Sequence, residues 1–140
     1  MRTIKMKFAS IALLSVSTLL FACSNEANNI APLALKDIQK QWQLTSIDGK
    51  TLETESTLSI DEQAKASGNL GCNNFFGVVE LDTNKVRIDK MGSTRKMCEP
   101  QVNDIEMSVS STLSNWSEVS IKDQQLLLTG DKHTLTYSLK

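Results

Sequence analysis

Hydrophobic and polar positions change their spacing several times along this chain. Phe8 to Phe21 is an unbroken apolar run interrupted only by small Ser and Thr. Ser24 to Pro32 is polar with one large apolar residue, Ile30. From Trp42 a period of two sets in: Trp42, Leu44 and Ser46 alternate, noisily, with Gln43, Thr45 and Ile47. Such alternation predicts a half-buried strand. Asp48-Gly49 follows, a strong hairpin signal, with Lys50 to Leu52 as the return strand. Ser56–Ile60 and Ala66–Leu70 are further strands, joined by a polar turn over Asp61–Lys65. Val78–Leu81 and Lys85–Ile88 flank a turn over Asp82–Asn84, with Val86 and Ile88 on one face. Between them Gly71-Cys72-Asn73-Asn74-Phe75-Phe76-Gly77 reads as a tight bend, because Gly and Asn tolerate left-handed backbone.

At Pro100 the period lengthens. Val102, Ile105, Val109, Leu113 and Trp116 are spaced 3, 4, 4 and 3, one face of an amphipathic helix. Pro100 suits a first helical turn, and Glu99, Asp104 and Glu106 complement the positive helix start. After Ser117 the period returns to two, with strands over Gln125–Thr129 and Thr134–Leu139 and a turn starting at Gly130-Asp131. Hairpins, one helix and a closing hairpin make an α+β order rather than alternating βαβ. The expected architecture is a strongly curved antiparallel β-sheet, cracked-barrel-like, with one packed amphipathic helix. Periodicity alone does not separate an open sheet from a closed or cracked barrel.

The apolar run carries an address. Arg2, Lys5 and Lys7 precede it, and Ala22 follows it. That is a secretory signal peptide, too short for a comfortable membrane span. Cys23 directly after Leu20-Phe21-Ala22 resembles the lipobox of bacterial lipoproteins. The resemblance implies acylation of Cys23, which becomes the first mature residue, and attachment to a membrane through several acyl chains. Ser24 is not the Asp that favours inner-membrane retention in Gram-negative lipoproteins, so the expected site is the outer membrane, facing the periplasm. The chain then divides into a signal peptide (1–22), a lipidated Cys and flexible tether (23–34) and a domain (35–140).

Removing the signal leaves 118 residues, one domain's worth, with 12 basic against 16 acidic residues and a net charge of −4. No basic patch stands out, which argues against a nucleic-acid partner. Outside the cytoplasm the two remaining cysteines, Cys72 and Cys98, read first as a disulfide. A metal site fails on ligand count, since His133 is the single histidine and no CxxC pair exists. A reactive thiol would need a neighbouring base that the sequence does not show.

Gly68-Asn69-Leu70-Gly71-Cys72-Asn73-Asn74-Phe75-Phe76-Gly77, followed at the expected distance by Ser93-Thr94-Arg95-Lys96-Met97-Cys98, resembles the signature of META domains, the HslJ-like family. Trp42-Gln43-Leu44 before Asp48-Gly49-Lys50 and the closing strands around Leu126-Leu127-Leu128 and Leu135-Thr136-Tyr137 agree with it. The resemblance spans about Leu35 to Lys140. It implies a barrel-like curved sheet with a helix packed on it, similar to the cracked barrel of lipoprotein pilots for secretion systems. It also implies an envelope or secreted setting, with links to heat shock and novobiocin resistance, and no established enzymatic reaction or cofactor.

Turn chemistry explains Gly71, Asn73, Gly77 and Arg95 as builders of an awkward loop. The functional alternative is that Asn73, Asn74 and Arg95 rim a binding site. Catalytic motifs are absent: there is no GxSxG elbow, HExxH, P-loop or dinucleotide fingerprint, and His133 falls in a predicted turn. The expected function is therefore a non-enzymatic envelope module, stress-protective or chaperone-like, that binds a protein partner. Alternatives are a barrel holding a lipid or other apolar ligand, a pilot-like partner of a secretion system, and an unrecognised hydrolase joining Ser, His133 and an acid.

Overall fold

The computed structural model describes residues 32–140. The apolar run, Cys23 and most of the expected tether lie outside the described residues. Among the described residues nine strands and two helices follow in order: α1 (Leu35–Ile38), β1 (Gln41–Ile47), β2 (Lys50–Thr51), β3 (Thr57–Ile60), β4 (Lys65–Asn69), β5 (Asn74–Asp82), β6 (Lys85–Ser93), α2 (Pro100–Ser114), β7 (Ser117–Lys122), β8 (Gln125–Thr129) and β9 (Thr134–Leu139). All pairings are antiparallel, and β1 bonds to β9 as well as β3. Strands β1 and β3–β9 thus close into an eight-stranded barrel, with β2 a short flap on β1. The curved sheet expected from the sequence is a ring, and closure removes its unpaired edges.

The ring is thinnest between β6 and β7, which pair only at Lys85↔Glu118 and Val86↔Ser117. The connection there is α2. Near its start Gly71, in the β4–β5 bend, faces Ile105, and near its end Gly130, in the β8–β9 turn, faces Thr112. Those two turns belong to opposite walls of the ring, so α2 spans one mouth of the barrel. Val109, Thr112 and Leu113 are its buried residues. At the other mouth Ile38 of α1 is buried, and its carbonyl accepts the Trp42 indole N–H at 2.9 Å. Between these plugs the inward residues Leu58, Ile60, Val79, Val86, Ile88, Leu126 and Leu128 leave a void of only about 10 Å³.

Several expectations are corrected. The four-residue α1 had no visible helical period. Leu33 and Leu35 pack against the core. Helix α2 ends at Ser114, and Trp116 leaves the apolar face to lie 4.8 Å beneath the Arg87 guanidinium. No acid sits in the first turn of α2. Strand β5 starts at Asn74 instead of Val78, and β6 runs on to Ser93. Gly77, read as part of a bend, sits inside β5 at a register shift between Phe76 and Val78. A Cβ there would lie 2.9 Å from the Asp89 carbonyl oxygen, so the two chains could not approach as they do. The noise in β1 has the same kind of cause. A register shift between Leu44 and Ser46 turns Ile47, not Ser46, toward the core.

Tyr137 is fully buried, and burial pushes its phenol well above the ordinary tyrosine range. Tight hairpins set the barrel rim. The β7–β8 connection is Asp123-Gln124, with φ of 50° and 62°. Left-handed backbone costs a non-glycine residue roughly 1–2 kcal/mol, and Asp-Gly is the favoured pair for this geometry. Gln124→Gly is therefore expected to raise stability by about 0.5–1 kcal/mol after glycine's own entropic penalty. The measurement is a urea melt, read as a higher midpoint at unchanged slope. A lowered midpoint would show that the Gln124 side chain contributes more than its backbone strain removes.

Candidate functional site

Leu70, Cys72 and Asn73 are buried in the β4–β5 connection, and the bend turns on Asn73. The Leu70 N–H donates to the Asn73 carbonyl at 2.8 Å, closing a tight turn. Gly71 has φ +120°, and a Cβ on it would press on the Ile105 side chain of α2 at 3.2 Å. A glycine here lets the bend meet the helix. The Asn69 side chain stiffens the turn on both sides: its Oδ1 accepts the Gly71 N–H at 2.7 Å and its Nδ2 donates to Asn74 Oδ1 at 2.9 Å.

Asn73 is 3% exposed. Its Oδ1 accepts the Lys96 N–H at 2.6 Å and the Thr94 hydroxyl at 2.8 Å. Its Nδ2 donates to the Lys96 carbonyl at 3.1 Å and to the Glu106 carboxylate at 3.0 Å. Its backbone N–H donates to Glu106 Oε2 at 2.8 Å. One side chain thereby joins the bend, the segment after β6 and helix α2. The Cys72–Cys98 disulfide, with Cα atoms 6.2 Å apart, ties the same bend to the end of that segment. Asn103 Nδ2 holds the Cys98 carbonyl at 2.9 Å. The segment Thr94–Cys98 is thus a strap pinned along its inner side.

The three residues expected to rim a binding site separate. Asn73 lies inside, and its amide is wholly taken up by the protein, so it offers nothing to a ligand. Asn74 is exposed at the bend, where its N–H donates to Thr94 Oγ1 at 3.1 Å. Arg95 is exposed on the strap, and among the described residues no carboxylate pairs with it. Glu106 was read as complementing the helix start, and instead serves the bend. Asn73 and Glu106 stand 33 residues apart, and no local pattern announces that pairing.

A second feature lies at the same mouth. Asp48, at the tip of the β1–β2 hairpin, accepts the Thr134 N–H at 2.8 Å and sits 2.8 Å from His133 Nδ1. The His133 hydrogen bond, then the Thr134 amide, hold the Asp48 carboxyl below its ordinary 3.8. His133 also lines a surface groove of about 480 Å³ with Asp104, Ser108, Ser111, Asp131 and Lys132. An acid, a histidine and serines therefore do meet, which is the constellation a hydrolase would need. The serine hydroxyls point elsewhere. Ser108 donates to the Asp104 carbonyl, Ser111 to that of Ser108 and Ser117 to that of Thr112, and none bonds to His133. No nucleophile–base pair is formed. Among the described residues no group of three His, Cys, Asp or Glu is placed to hold a metal ion. The interior void of about 10 Å³ has room for at most one water, whereas ligand pockets run to several hundred Å³. That void is too small for an apolar ligand.

The family model of the META domain matches residues 33–140. The chain belongs to the META domain family. It is similar to heat shock protein HslJ of Escherichia coli (strain K12), at 30% identity over 133 residues that cover 91% of this chain and 93% of that protein. A protein solved by NMR superposes with a TM-score of 0.68 at 29% identity, over 76% of this chain and 95% of the other. A second NMR structure, of a protein from Burkholderia xenovorans, gives 0.62 at 24% identity over 83% and 96%, a likeness of fold. In this META domain the signature residues Asn73 and Thr94 and the two cysteines build the bend and strap.

Two expectations test that assignment. Asn73→Ala leaves the Lys96 N–H and carbonyl without the side-chain bonds that Asn73 makes to them, while the backbone bond to Glu106 remains, and is expected to lower stability by about 2–4 kcal/mol, against less than about 1 kcal/mol for Asn74→Ala. Equal urea midpoints for the two variants would overturn the structural role. The depressed Asp48 gives a pH dependence of known sign. Its contribution is complete above the ordinary value of 3.8 and is lost as pH falls from there through the lower folded value. Thermal melts at descending pH should show Asp48→Asn losing less stability than the parent below 3.8; parallel acid limbs would contradict the pairing.

Proposed function

We propose that this META-domain protein is an envelope lipoprotein, acylated at Cys23, that works without catalysis by binding a protein partner during stress. The single observation that carries the binding part is the filled interior. With both mouths plugged and about 10 Å³ inside, the molecule's recognition chemistry is on its outer surface. The signal peptide and the lipobox-like Leu20-Phe21-Ala22-Cys23 support the anchor and the outer-membrane address. The stress role rests on the name of its relative, a heat shock protein. The lack of an aligned nucleophile beside His133 supports the non-enzymatic reading. A pilot-like role, guiding another envelope protein, is one form this partnership would take.

The test is made in cells. Radiolabelled palmitate is expected to label the wild-type protein and not Cys23→Ser. In a deletion strain of the source bacterium, wild type should restore survival after heating, Cys23→Ser should restore less, and His133→Ala should match wild type at equal protein level. Failure of palmitate to label the wild-type protein would remove the anchor. Loss of protection in His133→Ala would return the groove to candidacy as an active site. A lipid-like adduct retained by the protein in native mass spectrometry would favour a ligand carrier instead.

A further inference from the structure

The strap has an inner and an outer side with different chemistry. On the inner side Thr94 Oγ1 and both backbone groups of Lys96 are engaged by Asn73, and Cys98 is bonded to Cys72. On the outer side Arg95 and Lys96 are exposed, and Met97 is 96% exposed, the most exposed large apolar side chain among the described residues. Among the described residues neither Arg95 nor Lys96 has an ion-pair partner. These three side chains support nothing in the fold, yet the backbone beneath them is the most heavily tied loop in the domain. A loop fixed in this way presents its side chains at little further entropic penalty on binding. An unpaired Arg offers a fork suited to carboxylates, and a bare Met adapts to an apolar neighbour.

Topology says which way the strap faces. The chain enters the barrel at Gln41, at the mouth where Lys40 bonds to Ile60 and where the β3–β4, β5–β6 and β7–β8 turns lie. The strap follows the far end of β6, at the mouth covered by α2. A nine-residue strand separates the two ends by about 30 Å. Within the described domain the strap and the point where the chain enters the barrel thus lie at opposite mouths. The strap carries two adjacent cations on a mature chain of net charge −4, and α2 adds a second exposed methionine, Met107 at 68%, to the same mouth.

We propose that Arg95, Lys96 and Met97 form a pre-shaped docking site for an acidic segment of a partner protein, with carboxylates on the two cations and an apolar side chain on Met97. That the occupant is a protein rests on the function proposed above; the binding chemistry rests on the strap alone.

The experiment uses the mature chain with Cys23→Ser and its disulfide intact. Fluorescence anisotropy follows a short labelled peptide of interspersed Glu and Leu, the same peptide with Lys for Glu, and phosphatidylglycerol vesicles in parallel. Saturable binding of the acidic peptide is expected. It should weaken roughly tenfold or more in Arg95→Glu/Lys96→Glu, as the loss of charge-assisted bonds requires, and several-fold in Met97→Ser. Both variants change exposed side chains, and an unchanged urea midpoint verifies that they are folded. Absent binding, equal binding of the Lys peptide, or indifference to the charge reversal overturns the proposal. Charge-dependent binding to the vesicles in place of the peptide also overturns it and assigns the strap to the membrane surface. None of these outcomes bears on palmitate labelling, so failure here and failure of the anchor remain distinguishable.

Discussion

Asn73 carries a carboxamide whose oxygen takes two protons and whose nitrogen gives two, and the protein supplies partners for all of them. An amide buried to this degree is tolerated only when so satisfied. Its partners come from three separate stretches of chain: the β4–β5 bend itself, the strap and helix α2. Replace the carboxamide with any apolar group and both backbone groups of Lys96 lose the bonds it makes to them, while Glu106 keeps only the backbone N–H of residue 73. The position of α2 across the barrel mouth, the course of the strap and the approach of Cys72 to Cys98 all depend on that one residue being Asn.

Much of the wall was legible as alternation. Leu58 and Ile60, Val86 and Ile88, and Leu126 and Leu128 all point inward as their spacing demands. Phe75 and Phe76, adjacent and therefore on opposite faces, divide into one buried ring and one 65% exposed, the latter resting over Gly92 of β6. Three things were not legible. Register shifts at Leu44/Ser46 and Phe76/Val78 break the period-two rule locally, so β1 looked noisy and β5 looked short. Closure of β1 on β9 is a long-range pairing that no window of sequence reports. Glu106 lies 33 residues from Asn73 and Asp48 lies 85 from His133, and the hydrogen bonds that Asn73 donates to Glu106 leave no spacing signal in either segment.

The candidate rim was partly legible for the same reason. Gly, Asn and Thr mark an irregular loop through their backbone preferences, and the loop is there. Which of them faces solvent is decided by α2, whose Glu106 draws Asn73 inward and leaves Asn74 and Arg95 outside. The family signature is thus mainly a recipe for one corner of the fold.

Ring closure joins the first wall strand to the last. Thr45 of β1 donates its hydroxyl to Thr136 of β9, 91 residues later. Until β9 has been made the barrel lacks a stave, and Trp42 has Leu58 of β3 beside it but not Leu139. A topology of such distant pairings folds slowly and as a whole, with no stable half. A growing chain therefore cannot close its barrel until the last strand has been synthesised. The same strand order that seals the finished barrel sets the timing of its assembly.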